Sequence, residues 1–499
     1  MCQSECNLPT GTSLRIFAAH FLGITIATFK NTLLPAFSKA DICFVKNTSF
    51  FRIALLRWLI TAALFGCLKL NAQELWDLKQ CIQYGLENHK TNEIYKGNIE
   101  KARQMKNENL ALYYPQISGD LRFEDYLDLQ TMIIPEGTSL GGLPPTDKNQ
   151  EIQFGTKFQI YGTLDAEQML YNRLLLVSLR GLKPNTAIAN LNFQQNQENL
   201  IYNISQAYLQ ARILKLQIDL LSENEQKFAN QLKIIKLQVE KGVAKKMDGS
   251  RISVALNNIT SQLDVAKSGY EVAVNRLKNA LGMEISNTIV LSDSTRINTI
   301  DNVPEAFFDA NNKTEILLQQ NQLKLLEVQK KRAGAGYFPT LSFYARYSVQ
   351  AYNNEFASAF REWYDFSSFG LKLHVPIFDG MQSSAQKKQQ IINMRNAQLN
   401  LEMSQQAFQL QHQNATSQLK RARVNLENNE TNVALAKEVF DAIALMHQQG
   451  VTLLSEFLNA ETAYKESQLN YITAMLNYYT AVIELEKAKG TLNEFYQKL

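Results

Sequence analysis

HQQGVTLLSEFLNAE (447–461) interrupts one of the longest helical patterns in the chain with a lone glycine, and KGVAKKMDGSR (241–251) does the same 208 residues earlier. A glycine just past the last turn of a helix is the residue that adopts the left-handed conformation a helix stop needs. Gly242 and Gly450 are therefore expected to end long helices, and the segments after them to return as second helices. Each pair makes an antiparallel hairpin, with Gly242 and Gly450 at the hairpin turns.

The two interruptions belong to a duplicated unit. ALYYPQIS (111–118) pairs with AGYFPTLS (335–342), EQMLYNR (167–173) with HVPIFDG (374–380), KGVAKKMD (241–248) with QGVTLLSE (449–456), and RLKNALGM (276–283) with LEKAKGTL (485–492). The first three offsets are 224, 207 and 208 residues, so about 17 extra residues lie between the first two landmarks of the first copy. Self-similarity of this length outranks local pattern in deciding architecture. Each copy reads as a helix, two strands and a long helical hairpin, giving repeats at 73–290 and 291–499.

Proline marks the joints. Pro115 and Pro339 follow a helical pattern, stop it and bias the preceding residue toward extended backbone, and Pro376 sits in the last strand-to-helix junction. Between the joints the sequence alternates. Leu341, Phe343, Ala345, Tyr347 and Val349 fall on one face, against Ser342, Tyr344, Arg346, Ser348 and Gln350 on the other. Leu121, Phe123, Leu127 and Leu129 oppose Arg122, Glu124, Tyr126, Asp128 and Gln130, with Asp125 the exception. Ile152, Phe154, Phe158, Ile160 and Leu164 oppose Gln153, Lys157, Gln159, Thr163, Asp165 and Glu167, and Leu371, Leu373 and Val375 oppose Lys372 and His374. A period of two means strands with one apolar and one polar side.

Two architectures carry such strands: a soluble antiparallel sheet over a core, and a transmembrane wall with lipid on one side and water on the other. Aromatics at the strand ends (Tyr113, Tyr114, Tyr337, Phe338, Trp363, Tyr364, Phe366) suit an interfacial girdle. A secretory signal and the lack of a helix to cover the sheet favour the wall. Four strands cannot close a barrel, and open edges cannot face lipid, so other subunits must complete it. The helical patterns from about Leu174 to Lys241 and from about Met381 to Gln449 would each reach on the order of 100 Å at 1.5 Å per residue, which requires coiled-coil or tubular packing. A stripe such as Leu209, Ile213, Leu216, Leu220 and Phe228 reads as helix–helix core.

Composition narrows the class. The 499 residues carry a net charge of +4, which gives no electrostatic case for nucleic acid, and only 10 prolines. Arg52 and Arg57 followed by an apolar run from Trp58 to Phe65 and by Leu70-Asn71-Ala72 read as a secretory signal, so that 1–72 is a signal peptide with an N-terminal extension and Gln73 begins the mature chain. Two alternatives stay open: acylation at Cys67, after Leu64-Phe65-Gly66, and an uncleaved anchor at 16–29. Of the cysteines at 2, 6, 43, 67 and 81, cleavage leaves Cys81 alone, so no internal disulfide is expected. The histidines show no ligand spacing. No metal, cofactor or catalytic constellation is expected, and the chain reads as a non-enzyme.

GVTLLSEFLNAETAY (450–464), the A-x-x-x-Y-x-x-A-x-x-x-L run after it, Lys489-Gly490-Thr491-Leu492 and Val375-Pro376-Ile377-Phe378-Asp379-Gly380 together resemble the TolC-like outer-membrane efflux family, over about 74–499 and in the family's own duplicated order. The resemblance implies an α+β membrane fold: long helical hairpins in a coiled-coil-like periplasmic tunnel, plus four antiparallel transmembrane strands per chain, completed as a 12-stranded barrel in a homotrimer. It implies an exit duct of a tripartite efflux or type I secretion system, working with a periplasmic adaptor protein and an inner-membrane pump. The insertion MIIPEGTSLGGLPPTDKNQ (132–150) would be a long external loop. The family's acidic gate positions fall on Glu456 and Asn459, of which only Glu456 keeps the charge. Three copies of Glu456 would form an anionic ring; the competing reading is a favourable acid in a helix's first turn. The family's inter-hairpin lock falls on Asp248, Thr452 and His447, where the usual basic and aromatic-hydroxyl partners are replaced, leaving Asp248 open to a second reading as a solvated turn acid. A structural periplasmic coiled-coil protein without transport is the other class that the pattern allows.

Overall fold

The computed structural model describes residues 75–138, 147–292 and 308–499. The expected signal peptide, Cys67 and the middle of the 132–150 insertion lie outside the described residues. All elements below belong to the unit Gln73–Leu499.

The described chain starts with β1 (Leu75–Trp76) and α1 (Leu78–Asn88). Asp77 caps α1: its carboxylate accepts the Gln80 N–H at 2.7 Å, while the Gln80 amide oxygen accepts the Asp77 N–H at 3.0 Å. This reciprocal pair satisfies two donors that a helix start otherwise leaves bare. Helix α2 (Lys90–Ala111) then leads to β2 (Gln116–Asp125), the short pair β3 (Thr131–Ile134) and β4 (Gln150–Gln153), and β5 (Phe158–Asn172). Next come α3 (Arg173–Arg180), α4 (Leu182–Glu240), α5 (Lys246–Leu281) and β6 (Val290–Leu291). The series helix, strand, strand, hairpin then recurs as α6 (Thr314–Ala335), β7 (Thr340–Asn353), β8 (Tyr364–His374), α7 (Gln382–Gln448) and α8 (Leu454–Lys489), closed by α9 (Leu492–Lys498).

The main sheet has the order β2-β5-β7-β8, antiparallel throughout. Among the described residues its outer strands β2 and β8 have no partner on their far sides. The apolar set pairs with itself across the sheet: Leu121 faces Gly162, Leu164 faces Tyr347, and Phe343 faces Leu371. Three details depart from the sequence expectation. Strand β2 stops at Asp125, the residue that breaks the alternation, so Leu127 and Leu129 lie beyond the sheet and Leu127 is 92% exposed. Phe154 falls outside β5, because Gly155, at φ +111°, turns the chain between β4 and β5. The 132–150 insertion is not loop throughout: its flanks pair as the β3–β4 hairpin, Met132 opposite Ile152. The parallel contact of β1 with β6 had no signal in the sequence, since two residues on each side are too few for a period.

Helix α7 runs unbroken for 67 residues and α4 for 59. At 1.5 Å per residue these are roughly 100 and 90 Å long. Pro184 is harmless in the first turn of α4, where its missing N–H would have no helical acceptor. The largest core lies where α1, α4, α5, α8 and α9 meet, with Leu78, Ile82, Ile201, Ile204, Tyr208, Leu277, Leu281 and Ile483 wholly buried or nearly so. A polar knot pins the start of α6 nearby: buried Thr314 donates to Glu198 at 2.7 Å, and the buried Lys313 ammonium donates to the Lys487 carbonyl at 3.3 Å while lying 4.3 Å over the Phe408 ring.

Leu277→Ala should cost about 3 kcal/mol, because it leaves a cavity among helices that cannot collapse independently. Urea titration of the detergent-solubilised protein, followed by circular dichroism, should show an earlier helical transition. An unchanged midpoint would contradict this packing.

Candidate functional site

No helix among the described residues is long and apolar enough to cross a membrane. The sheet is the element with a bare apolar side. On that side Ile117 (69% exposed), Leu121 (80%), Phe369 (81%), Leu371 (65%) and Leu373 (65%) are open. A water-soluble sheet would spend about 25 cal/mol for each Å² of that surface to keep it in water. Only one end of the face is covered. There the turn after β7 folds back, Ile160, Ala351 and Ala359 are buried, and Phe123, Phe158, Phe356 and Phe360 pack with ring centroids 5.5–6.2 Å apart. Tyr114, Tyr337, Phe338, Trp363, Tyr364 and Phe366 are exposed at the strand ends. Tyr113 differs: its hydroxyl is buried without a partner.

The opposite side of the sheet is polar and internally bonded. Asp165 on β5 stands directly across from Arg346 on β7, and the guanidinium donates through Nε to Oδ1 at 2.6 Å and through Nη2 to Oδ2 at 3.3 Å. One rung away, the Thr163 and Ser348 hydroxyls are 3.0 Å apart. Tyr161 and Tyr352 meet edge to face at 5.9 Å. Arg122 and Glu124, neighbours along β2, are 3.5 Å apart. Directly opposed charges and hydroxyls of this kind stabilise a strand pair that faces water.

Each Pro-marked joint separates helix from sheet. Helix α2 ends four residues before Pro115 and α6 four before Pro339, whereas Pro376 follows the end of β8 by two. In the last joint Ile377 and Phe378 project into solvent. Asp379, three residues ahead of α7, accepts the Ser383 N–H at 3.0 Å. Hydrogen bonds from the Ser383 side chain and backbone hold the Asp379 carboxyl below the usual carboxylate range. Gly380 and Met381 are both left-handed, at φ +64° and +66°. For Met381 that conformation costs on the order of 1 kcal/mol, and it marks the junction from strand to helix.

At the far ends of the hairpins, Gly242 (φ +77°) and Gly450 (φ +76°) sit one residue past the C-caps Lys241 and Gln449. Gly242 N–H donates to Val239 O at 3.0 Å and Val243 N–H to Gln238 O at 2.8 Å; the corresponding bonds run from Gly450 to His447 at 3.0 Å and from Val451 to Met446 at 2.9 Å. The same stop motif thus closes both helices. The hairpins meet through a shared apolar cluster: Phe228 and Ile235 of α4, Ile252 and Ile259 of α5, Leu454 and Phe457 of α8, with Phe440 and Ile443 of α7.

Three of the sequence-selected tip residues come together. The Thr452 hydroxyl donates to the Glu456 carboxylate, and the His447 ring lies 3.3 Å from the Thr452 carbonyl and stacks on Phe457 at 5.2 Å. Glu456 and Asn459 are exposed, on the flank of α8 away from buried Leu454 and Phe457. Asp248 stands apart in the first turn of α5, where its carboxylate has no hydrogen-bond or ion-pair partner among the described residues. The polar link between hairpins lies elsewhere: the Lys465 ammonium of α8 donates to the Gln262 amide oxygen of α5 at 2.8 Å. Glu461, buried one turn past Phe457, is the other member that sequence reading passed over. Its signal was available: Leu454, Phe457 and Glu461 follow the i, i+3, i+7 stripe, and an acid in an apolar stripe is an anomaly. Among the described residues no cluster of His, Cys, Asp and Glu is placed to hold a metal ion.

A four-stranded sheet with open edges, joined to long helical hairpins, can be compared as a whole with known proteins. The family described as "Outer membrane efflux protein" matches residues 293–491. The alkaline protease secretion protein AprF of Pseudomonas aeruginosa is 21% identical over 328 residues, spanning 62% of this chain and 67% of that protein. Outer membrane protein TolC of Vibrio cholerae is 22% identical over 345 residues, spanning 66% of this chain and 76% of its own. Among solved structures, that of CusC, described for its transmembrane channel formation, superposes with a TM-score of 0.66 at 16% identity, over 85% of this chain and 95% of the other. The chain is thus similar to TolC-like outer-membrane efflux proteins in its second repeat by family match, and in overall fold by comparison with the solved channels.

Phe457→Ala should loosen the hairpin tips by about 3 kcal/mol, because it removes the ring that bridges α7 and the first hairpin. Hydrogen exchange should accelerate at 235–260 and 440–460 and stay unchanged in β5 and β7. Equal protection at the tips in both proteins would contradict the bridging role.

Proposed function

We propose that this chain is the exit duct of a tripartite efflux or type I secretion system: a passive conduit that works with a periplasmic adaptor and an inner-membrane pump. The observation that carries the reading is the sheet, which has two unpaired edges and an exposed apolar face. Backbone groups on such edges cannot be left unpaired in hydrocarbon. Copies of the same chain supply the missing partners when β8 of one protomer pairs with β2 of the next, and a homotrimer contributes twelve strands. The side that bears Asp165, Arg346, Thr163 and Ser348 then lines a water-filled exit, and the side that bears Leu121, Phe369 and Leu371 meets lipid. The hairpins of two repeats, 73–290 and 291–499, continue the wall as a tunnel into the periplasm. A structural coiled-coil role without transport would leave the apolar face without an environment.

Within this reading the hairpin tips are the gate. Glu456 and Asn459 project from α8 where the symmetry axis brings three copies together, and three Glu456 carboxylates form a cation-binding ring. Asp248, Thr452 and His447 fill the positions around it; here Thr452 and His447 position Glu456 through their own contacts in place of an ion pair to Asp248.

Purified protein in planar lipid bilayers should form pores that polyvalent cations block from the tip side. Glu456→Ala should raise the half-blocking concentration roughly tenfold, equivalent to about 1.4 kcal/mol of lost site energy. Unaltered block would remove Glu456 from the gate, and an absence of pores in every preparation would contradict the duct itself.

A further inference from the structure

We propose that Glu461 is a proton-operated latch between the two hairpins: as a neutral acid it holds α8 against the first hairpin, and its ionisation releases that contact. The proposal rests on the exit-duct reading for its consequence, since the released element carries the tip of the tunnel.

The geometry is specific. Glu461 is 9% exposed and lies on the buried stripe of α8, seven residues past Leu454 and four past Phe457, both in the cluster that joins the hairpins. Its carboxylate makes no hydrogen bond or ion pair among the described residues. Two cations act on it, Lys227 from α4 and Lys465 from its own helix, and both are engaged elsewhere. Lys227 pairs with Glu223 at 2.7 Å, and Lys465 donates to Gln262 of α5 at 2.8 Å. Among the described residues no charge from α5 or α7 acts on Glu461, and Glu466 acts on Lys465 alone of this group. A buried carboxylate without a partner is an expensive ion and an inexpensive acid.

Burial therefore outweighs the two cations and pushes Glu461 up to about 7, against 4.5 for an exposed glutamate. The sign follows from linkage. The packed form binds the proton more tightly than a form in which Glu461 meets water. The latch is therefore at full strength below about 4.5, weakens as pH rises, and is lost above about 7. Lys465 feels the same burial, which lowers its own proton affinity. A change of periplasmic pH around neutrality would then shift the tip between packed and loosened forms.

The test reads the packing directly. Spin labels on cysteines placed at the exposed sites Asn258 of α5 and Thr462 of α8 report the inter-hairpin distance by double electron–electron resonance in the full-length, bilayer-reconstituted protein. One narrow distance is expected at pH 5.5 and a longer or broader distribution at pH 8.5, with a midpoint near 7. Glu461→Gln should keep the narrow distance at both pH values, and Lys465→Met should move the midpoint upward by removing an attracting charge. Infrared difference spectra should show a carboxylic-acid carbonyl band at pH 5.5 that is missing from Glu461→Gln. A wild-type distance that ignores pH, or a Glu461→Gln protein that responds as the wild type does, would overturn the latch. Pore formation in the same membranes is scored separately, so failure of the duct and failure of the latch give different results.

Discussion

Backbone pairing in a medium without water constrains everything else in this protein. Among the described residues, strands β2 and β8 each carry an edge of N–H and C=O groups with no strand partner, and they frame a face on which leucines and phenylalanines stand in the open. In water such a face would aggregate, and in lipid such edges would be costly. The proposed assembly would satisfy both conditions, with the apolar face against hydrocarbon and neighbouring copies closing the edges. In that assembly the Arg346–Asp165 pair and the Thr163–Ser348 contact, on the side opposite the apolar face, would face water.

The helical part follows from the same constraint. The large apolar clusters lie among the helices rather than on the sheet, as strands proposed to share a wall with other copies would require. The α1–α4–α5–α8 cluster anchors the middle of the chain, and the tip cluster around Phe228, Ile252 and Phe457 anchors the far end. Between these, α7 offers few buried side chains of its own. A long helix with so little internal burial calls for neighbours, which the proposed tunnel of several chains would provide. Packing at the tip rests on the few rings and aliphatic side chains of that cluster, and in the proposed latch on the protonation of Glu461 as well.

Much of this was legible in the chain. Alternation over 341–350 marked one strand and its two faces, and the glycine interruptions at 242 and 450 marked the hairpin turns, because both signals arise from local backbone geometry. What local geometry does not encode was harder to read. The end of β2 depended on Asp125 breaking the alternation, a cue that competes with the hydrophobic Leu127 and Leu129 beyond it. The β3–β4 pair is held by cross-strand register in a segment rich in glycine and proline. The tip showed a similar limit. Glu456, Thr452 and His447 came from resemblance in sequence order, whereas Glu461 and the Lys465–Gln262 link depend on which helix passes which, a tertiary fact. An acid at a core position of α8 was the one sequence cue to it.

The central claim is that the open edges of the sheet are closed by copies of the same chain. Cysteines placed on β2 at Asp120 and on β8 at Ser368, oxidised in the intact outer membrane, test it directly. The account predicts covalent species of two and three chains and nothing larger, with the three-chain species dominant as a closed ring. Single chains alone, or an open ladder running past three, would contradict it.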